Sequence, residues 1–237
     1  MRVAIIDGKV NADLVRSSIK RYEVLNGKVE ESSSNTDFIS HGTIVSQIIS
    51  QYGRYNQIYV LEILNDEEKG NIKNLVTALE WCFNKDIDII NMSVGSTVKK
   101  DSKRIRSLCK QLSMQGKVIV AAENNYGIAS VPSRFTEVIS VKHINCPKIM
   151  LYDSSKNRIF VSGEKWLKFA NGTYSKTQCC NSYACAVATG VISRKVNILQ
   201  NDRGKKHYKI RLFRGNGGLK TATPPVFNLI RRHSTFG

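Results

Sequence analysis

Apolar residues follow two periods along this chain. Short unbroken runs read as buried strands: RVAII at 2–6, QIYVLEI at 57–63, KVIVAA at 117–122 and EVISV at 137–141. IDIINMSVG (87–95) is a further strand running into a glycine, and IMLYD and RIFVSG predict a hairpin. Between these runs the period lengthens to that of a helix. HGTIVSQIISQY places Ile44, Val45, Ile48 and Ile49 on one face, and NIKNLVTALEWCF does the same with Ile72, Leu75, Val76, Leu79 and Phe83 behind Asn71 as N-cap. Residues 102–115 repeat the pattern with Ile105, Leu108, Cys109 and Leu112, and Gly116 follows as a stop. The stretch after Asp7-Gly8 is polar, rich in Ser, Asn and Glu, and its loop ESSSNTDFIS runs into His41-Gly42. Strands alternating with helices predict an α/β domain, a three-layer αβα stack on a mainly parallel sheet.

In such sheets functional groups collect at the carboxyl ends of the strands. Asp7 closes the first strand, Ser93 ends IINMS, and Asn124 follows VIVAA. His41 opens the first long helix, and Ser182 opens the last, within CCNSYACAVATG. Singly, each has a plain structural reading: Asp7 or Asn124 in a turn, His41 in a helix's first turn, the small residues after Ser182 as close packing. Together they describe acyl transfer. A serine hydroxyl is a weak nucleophile until a histidine takes its proton. The histidine needs a carboxylate to fix its tautomer. The developing oxyanion needs donors such as an Asn amide and a backbone N–H, and a helix N-terminus adds favourable potential.

The order and local sequences resemble the subtilase (subtilisin-like) serine peptidases over residues 2 to about 194. VAIIDG resembles the family's Asp motif and SHGTIVSQII its His motif; IINMSVG resembles the strand that pairs with substrate. VIVAAENN resembles the Ala-Ala-Gly-Asn segment, and NSYACAVATG the nucleophile's helix. The resemblance implies Asp7, His41 and Ser182 as catalytic triad, Asn124 as oxyanion amide, and Ser93, Val94 and Gly95 as a strand edge that binds an extended peptide. Three segments depart from the family. Asp7 is followed by Gly8-Lys9, and Ala186-Val187 stand where the family has Pro-His, a change a helix tolerates. Glu123 replaces the Gly before the oxyanion Asn, in the wall of the pocket for the residue preceding the scissile bond. A substrate-binding Glu123 implies selection for Lys or Arg there.

The implied activity is a serine endopeptidase. With no family-like extension before Asp7, the expectation narrows to a dedicated processing enzyme, such as one removing a lanthipeptide-like leader. The alternative is a silent pseudoprotease that binds peptides in the same cleft. Calcium is common in the family, but no DxDxDG-type loop is present; no cofactor and no metal-ligating site residue is expected, and structural calcium is left open.

Composition changes this picture in two places. No apolar run approaches the ~20 residues of a membrane span, and the first run, interrupted at Asp7, is too short for a signal peptide. A cytoplasmic protein with no membrane partner is therefore expected, its six cysteines reduced and, lacking any CxxC pair, not a zinc site. The net charge of +17 is concentrated at the end. Residues 191–237 hold eleven Lys or Arg against one acid, Asp202, so +10 of it lies there. Residues 1–194 are expected as the peptidase domain and 195–237 as a basic extension of it, either folded onto it or partly ordered. Such a tail could bind a polyanion, but it contains no recognisable nucleic-acid module, and nucleic acid is not expected as a partner.

Overall fold

The computed structural model describes residues 1–210 except 34, 66, 99, 101, 147–149 and 201–205. Its centre is a nine-stranded sheet: β1 (Arg2–Asp7), β2 (Ile19–Leu25), β3 (Lys28–Glu31), β4 (Gln57–Glu62), β5 (Ile89–Met92), β6 (Val118–Ala122), β7 (Ile139–His143), β8 (Met150–Asp153) and β9 (Arg158–Val161). The order is β3-β2-β4-β1-β5-β6-β7-β9-β8. Only β3 and β8, the two edges, run antiparallel to their neighbours. This is the three-layer α/β arrangement the alternating pattern predicts.

The central strands are apolar on both faces because helices cover both. Along β1 the side chains alternate. Val3 and Ile5 join α1 (His41–Tyr52) and α4 (Asn181–Lys195) in one core. Ala4 and Ile6 join α2 (Ile72–Asn84) and α3 (Ser102–Met114) in the other. In α1 the predicted face divides: Val45, Ile48 and Ile49 are fully buried, whereas Ile44 is only partly so and lines a cleft. Asn71 caps α2 as expected, its side chain accepting from the Asn74 N–H at 2.8 Å.

Helix α4 lies against the middle of the sheet, and its small residues are what allow that. Ala184, Cys185, Ala186 and Ala188 are fully buried. The Asn91 amide on β5 donates to Thr189 Oγ1 at 2.9 Å and faces Cys185 Sγ at 3.2 Å, tying strand to helix through satisfied polar groups. Where α4 crosses the end of α1, a Cβ on Gly190 would stand 2.9 Å from that of Tyr52, so only glycine admits this approach.

The polar stretch after Asp7, to which the sequence pattern assigns no element before the loop, also holds regular structure. Residues 19–31 form the hairpin β2–β3, turning through Asn26 and Gly27 at φ of 51° and 83°. It is an edge hairpin on which Val24 is the one buried side chain, so no apolar alternation marks it. The IMLYD–RIFVSG hairpin is present as β8–β9. Beyond it, β10 (Trp166–Lys168) and β11 (Tyr174–Lys176) make a small separate sheet. After α4 come β12 (Val196–Gln200) and β13 (Lys206–Ile210), an antiparallel pair; the basic segment from 211 onward lies outside the described residues.

Candidate active site

Asp7 reaches the site from the carboxyl end of β1, wholly buried between β4 and β5. Its Oδ1 accepts from the Gly8 N–H at 2.7 Å and lies 2.7 Å from His41 Nδ1. Its Oδ2 is buried and has no hydrogen-bond partner among the described residues. The carboxylate is thus held by one oxygen, on the imidazole nitrogen that faces away from a substrate in a triad.

His41 stands there because of how α1 begins. Ser40 caps the helix, accepting from the Thr43 N–H at 3.2 Å, while its hydroxyl donates to the Lys9 carbonyl. Thr43 Oγ1 accepts from the Asn11 N–H at 2.8 Å. A Cβ on Gly42 would lie 2.4 Å from the Gly8 carbonyl oxygen. His-Gly-Thr therefore presses the first turn of α1 onto the loop leaving β1, which sets the imidazole on Asp7. Burial alone would lower the His41 pKa. The Asp7 charge and hydrogen bond, helped by the charge of Glu68, outweigh it and raise the pKa above its ordinary value. On its other side the imidazole stacks on Tyr183, with ring centroids 5.3 Å apart and planes at 25°.

Ser182 sits in the first turn of α4, 8% exposed, its hydroxyl 3.5 Å from the Ser93 carbonyl at the end of β5. The preceding Asn181 fixes that turn to two strands. Its Oδ1 accepts from the His143 N–H at 2.7 Å, and its amide donates to the carbonyls of Glu123 (3.0 Å) and Asn124 (3.2 Å). Its own N–H donates to Asn125 Oδ1 at 2.8 Å.

Ser182, His41, Ser93, Val94 and Gly95 all line one cleft of about 800 Å³. Gly95 lies so close to the Val131 carbonyl (2.7 Å from a Cβ position) that the strand edge there must be glycine. Ser96 is already paired with Val131 through both backbone bonds, at 2.9 and 2.8 Å. Glu68 and Lys100 bring charge to the cleft.

Two residues picked from the sequence lie elsewhere. Asn124 turns its side chain back into its own loop, Oδ1 accepting from the Tyr126 N–H at 2.8 Å. Its neighbour Asn125 lines the cleft instead. Asn125 Oδ1 accepts from the Asn181 N–H, and its amide nitrogen has no hydrogen bond among the described residues. The sequence offered two consecutive asparagines and nothing to separate them; the turn decides. Glu123 is not among the cleft-lining residues: its carboxylate pairs with Arg158 Nε of β9 at 2.5 Å. That ion pair removes the ground for a Glu123-based preference for basic residues, because the carboxylate already has its cation. The cation came from a strand too distant in sequence to foresee. Among the described residues no three His, Cys, Asp or Glu are grouped as a metal site would require, and no helix is long and apolar enough to cross a membrane.

Comparison with known proteins points to one family. The chain is 28% identical over 157 residues to the minor extracellular protease Epr of Bacillus subtilis, covering 61% of this chain and 23% of that protein. It is 27% identical over 175 residues to subtilisin DY of Bacillus licheniformis, covering 67% and 58%. The chain thus spans less than two thirds of the length of either relative. Among solved structures, sphericase superposes with a TM-score of 0.63 at 20% identity, over 81% of this chain and 75% of that one, which shows a shared fold. The profile of the Subtilase family matches residues 1–209. With the fold, the order of motifs and that match in agreement, the chain belongs to the subtilase family.

Proposed function

We propose that this protein is a serine endopeptidase in which Ser182 is the nucleophile, His41 the general base and Asp7 its orienting carboxylate. The observation that carries the reading is the 2.7 Å contact of Asp7 Oδ1 with His41 Nδ1 beside a cleft that Ser182 also lines. Asp7 holds the Nδ1–H tautomer, so the other nitrogen is the base. Ser182 Oγ attacks the peptide carbonyl as His41 takes its proton, and His41 returns that proton to the leaving amine. Water then releases the acyl-enzyme by the same steps in reverse. We assign the oxyanion role to Asn125 in place of Asn124, because Asn125 lines the cleft beside Ser182. An extended peptide would pair along Ser93–Gly95.

The narrower reading is a processing peptidase for one precursor, such as a lanthipeptide-like leader. Its support is a cleft with both Glu68 and Lys100 in its lining, charges that a selective site would use to choose among substrates. Labelling with a fluorophosphonate tests the chemistry. Wild type should be labelled and Ser182→Ala should not; a folded wild type that takes no label would instead be a peptide-binding pseudoprotease.

A further inference from the structure

The residue after the nucleophile is a tyrosine, and the structure gives its ring a specific neighbour. Tyr183 is 8% exposed and lines the cleft, and its plane lies within 25° of the His41 imidazole at a centroid distance of 5.3 Å. Among the described residues, no hydrogen bond other than the one to Asp7 is seen on the His41 ring. A single hydrogen bond to one nitrogen fixes where a ring is anchored but leaves it free to rock about that bond. A flat surface against its face removes this freedom, and near-parallel offset rings are a favourable arrangement for aromatic pairs.

We propose that Tyr183 is a positioning residue: its ring, stacked on His41, fixes the plane of the imidazole so that the nitrogen not bound to Asp7 stays aimed at Ser182. The role belongs to the aromatic face and not to the hydroxyl. Backbone geometry favours this assignment. Tyr183 follows Ser182 in the first turn of α4, which Asn181 ties to β7 and to the loop after β6, so one clamp fixes the nucleophile and the ring that orients its base. The charged groups facing the pair are Asp7 from β1 and Glu68 from the loop after β4. Both bear electrostatically on the imidazole and on the tyrosine. The inference rests on the peptidase reading for its kinetic part alone.

The test uses the full chain with Tyr183→Phe, Tyr183→Leu and Tyr183→Ala. Proton NMR of the imidazole, assigned with His41→Gln, should show ring-current-shifted carbon-bound protons in wild type and Tyr183→Phe. The shift should be lost in whichever of the Leu and Ala variants keeps a cooperative melt. On a peptide substrate Tyr183→Phe should hold wild-type kcat, while the non-aromatic variants lose about 3- to 10-fold in kcat with KM within about 2-fold. Unshifted His41 protons in wild type would overturn the proposal without any variant. Equal kcat in Phe and Leu variants would overturn it too, as would a Phe variant as slow as Leu. The NMR arm needs no turnover, so a wild type that takes no fluorophosphonate but shows the ring-current shift sinks the peptidase reading and leaves the stacking intact.

Discussion

At the scale of single residues, the two consecutive asparagines carry the sharpest expectation. Asn125→Ala should lower kcat by about 10²–10³, the effect of removing one preorganised oxyanion donor. Asn124→Ala should alter melting more than turnover, because among the described residues its side chain bonds only within its loop. Steady-state kinetics of the two variants separate the roles; equal losses would return the oxyanion to the open. His41 makes a second prediction. Its folded pKa is raised from 6.5, and the base must be neutral to act, so kcat/KM should fall on the acid side with a midpoint above that value. Glu68→Gln should bring the midpoint down slightly, and salt should erase the difference, since Glu68 is exposed and its field is screened. Stability moves in the opposite sense. The charged imidazole paired with Asp7 stabilises the fold fully below the unfolded histidine value and loses that contribution as pH rises through the folded one. The melting-temperature gap between wild type and His41→Gln should therefore be widest below pH ~6.5.

At the scale of elements, two glycines hold helices where no other residue would. Gly42→Ala forces a methyl against the Gly8 carbonyl and should cost about 1–3 kcal/mol while displacing His41 from Asp7. Gly190→Ala presses on Tyr52 and should cost a similar amount with a smaller loss of activity, because that crossing lies at the far end of α1 from His41. Thermal melts paired with kinetics distinguish the two. Elements were legible in the sequence where burial imposes a period. Buried strands such as β1 and β5 show as unbroken apolar runs, and α2 shows both its face and its cap. The hairpin β2–β3 was not legible, since an edge exposed on most positions carries no period; its Asn26-Gly27 turn was the signal present. The roles of Asp7, His41 and Ser182 could be proposed from local motifs because each sits at the end of a regular element. Asn125 and the Glu123–Arg158 pair depend on a turn and on a distant strand, which no local pattern encodes.

At the scale of the whole molecule, two apolar cores on opposite faces of one sheet share β1, and three cysteines report on them. Cys82, Cys109 and Cys185 are buried, and burial raises their thiol pKa, to about 12 for the first two. Cys82 and Cys109 lie in the α2–α3 core and Cys185 in the α1–α4 core. In native protein a thiol reagent should reach only Cys146, Cys179 and Cys180, with the other three reacting as the chain unfolds. If Cys185 and Cys82 became reactive at different denaturant concentrations, the two faces would be separate cooperative units.

Gly8 leaves the site adjustable. A Cβ there would meet nothing nearer than Leu64 at 3.6 Å, an ordinary contact, while Oδ2 of the neighbouring Asp7 is buried with no partner among the described residues. The carboxylate therefore spends its hydrogen-bonding capacity on one side, and position 8 beside it has room for a small side chain. A side chain here that donated to Oδ2 would spread the negative charge and weaken its hold on the imidazolium, lowering the pH at which the base becomes neutral.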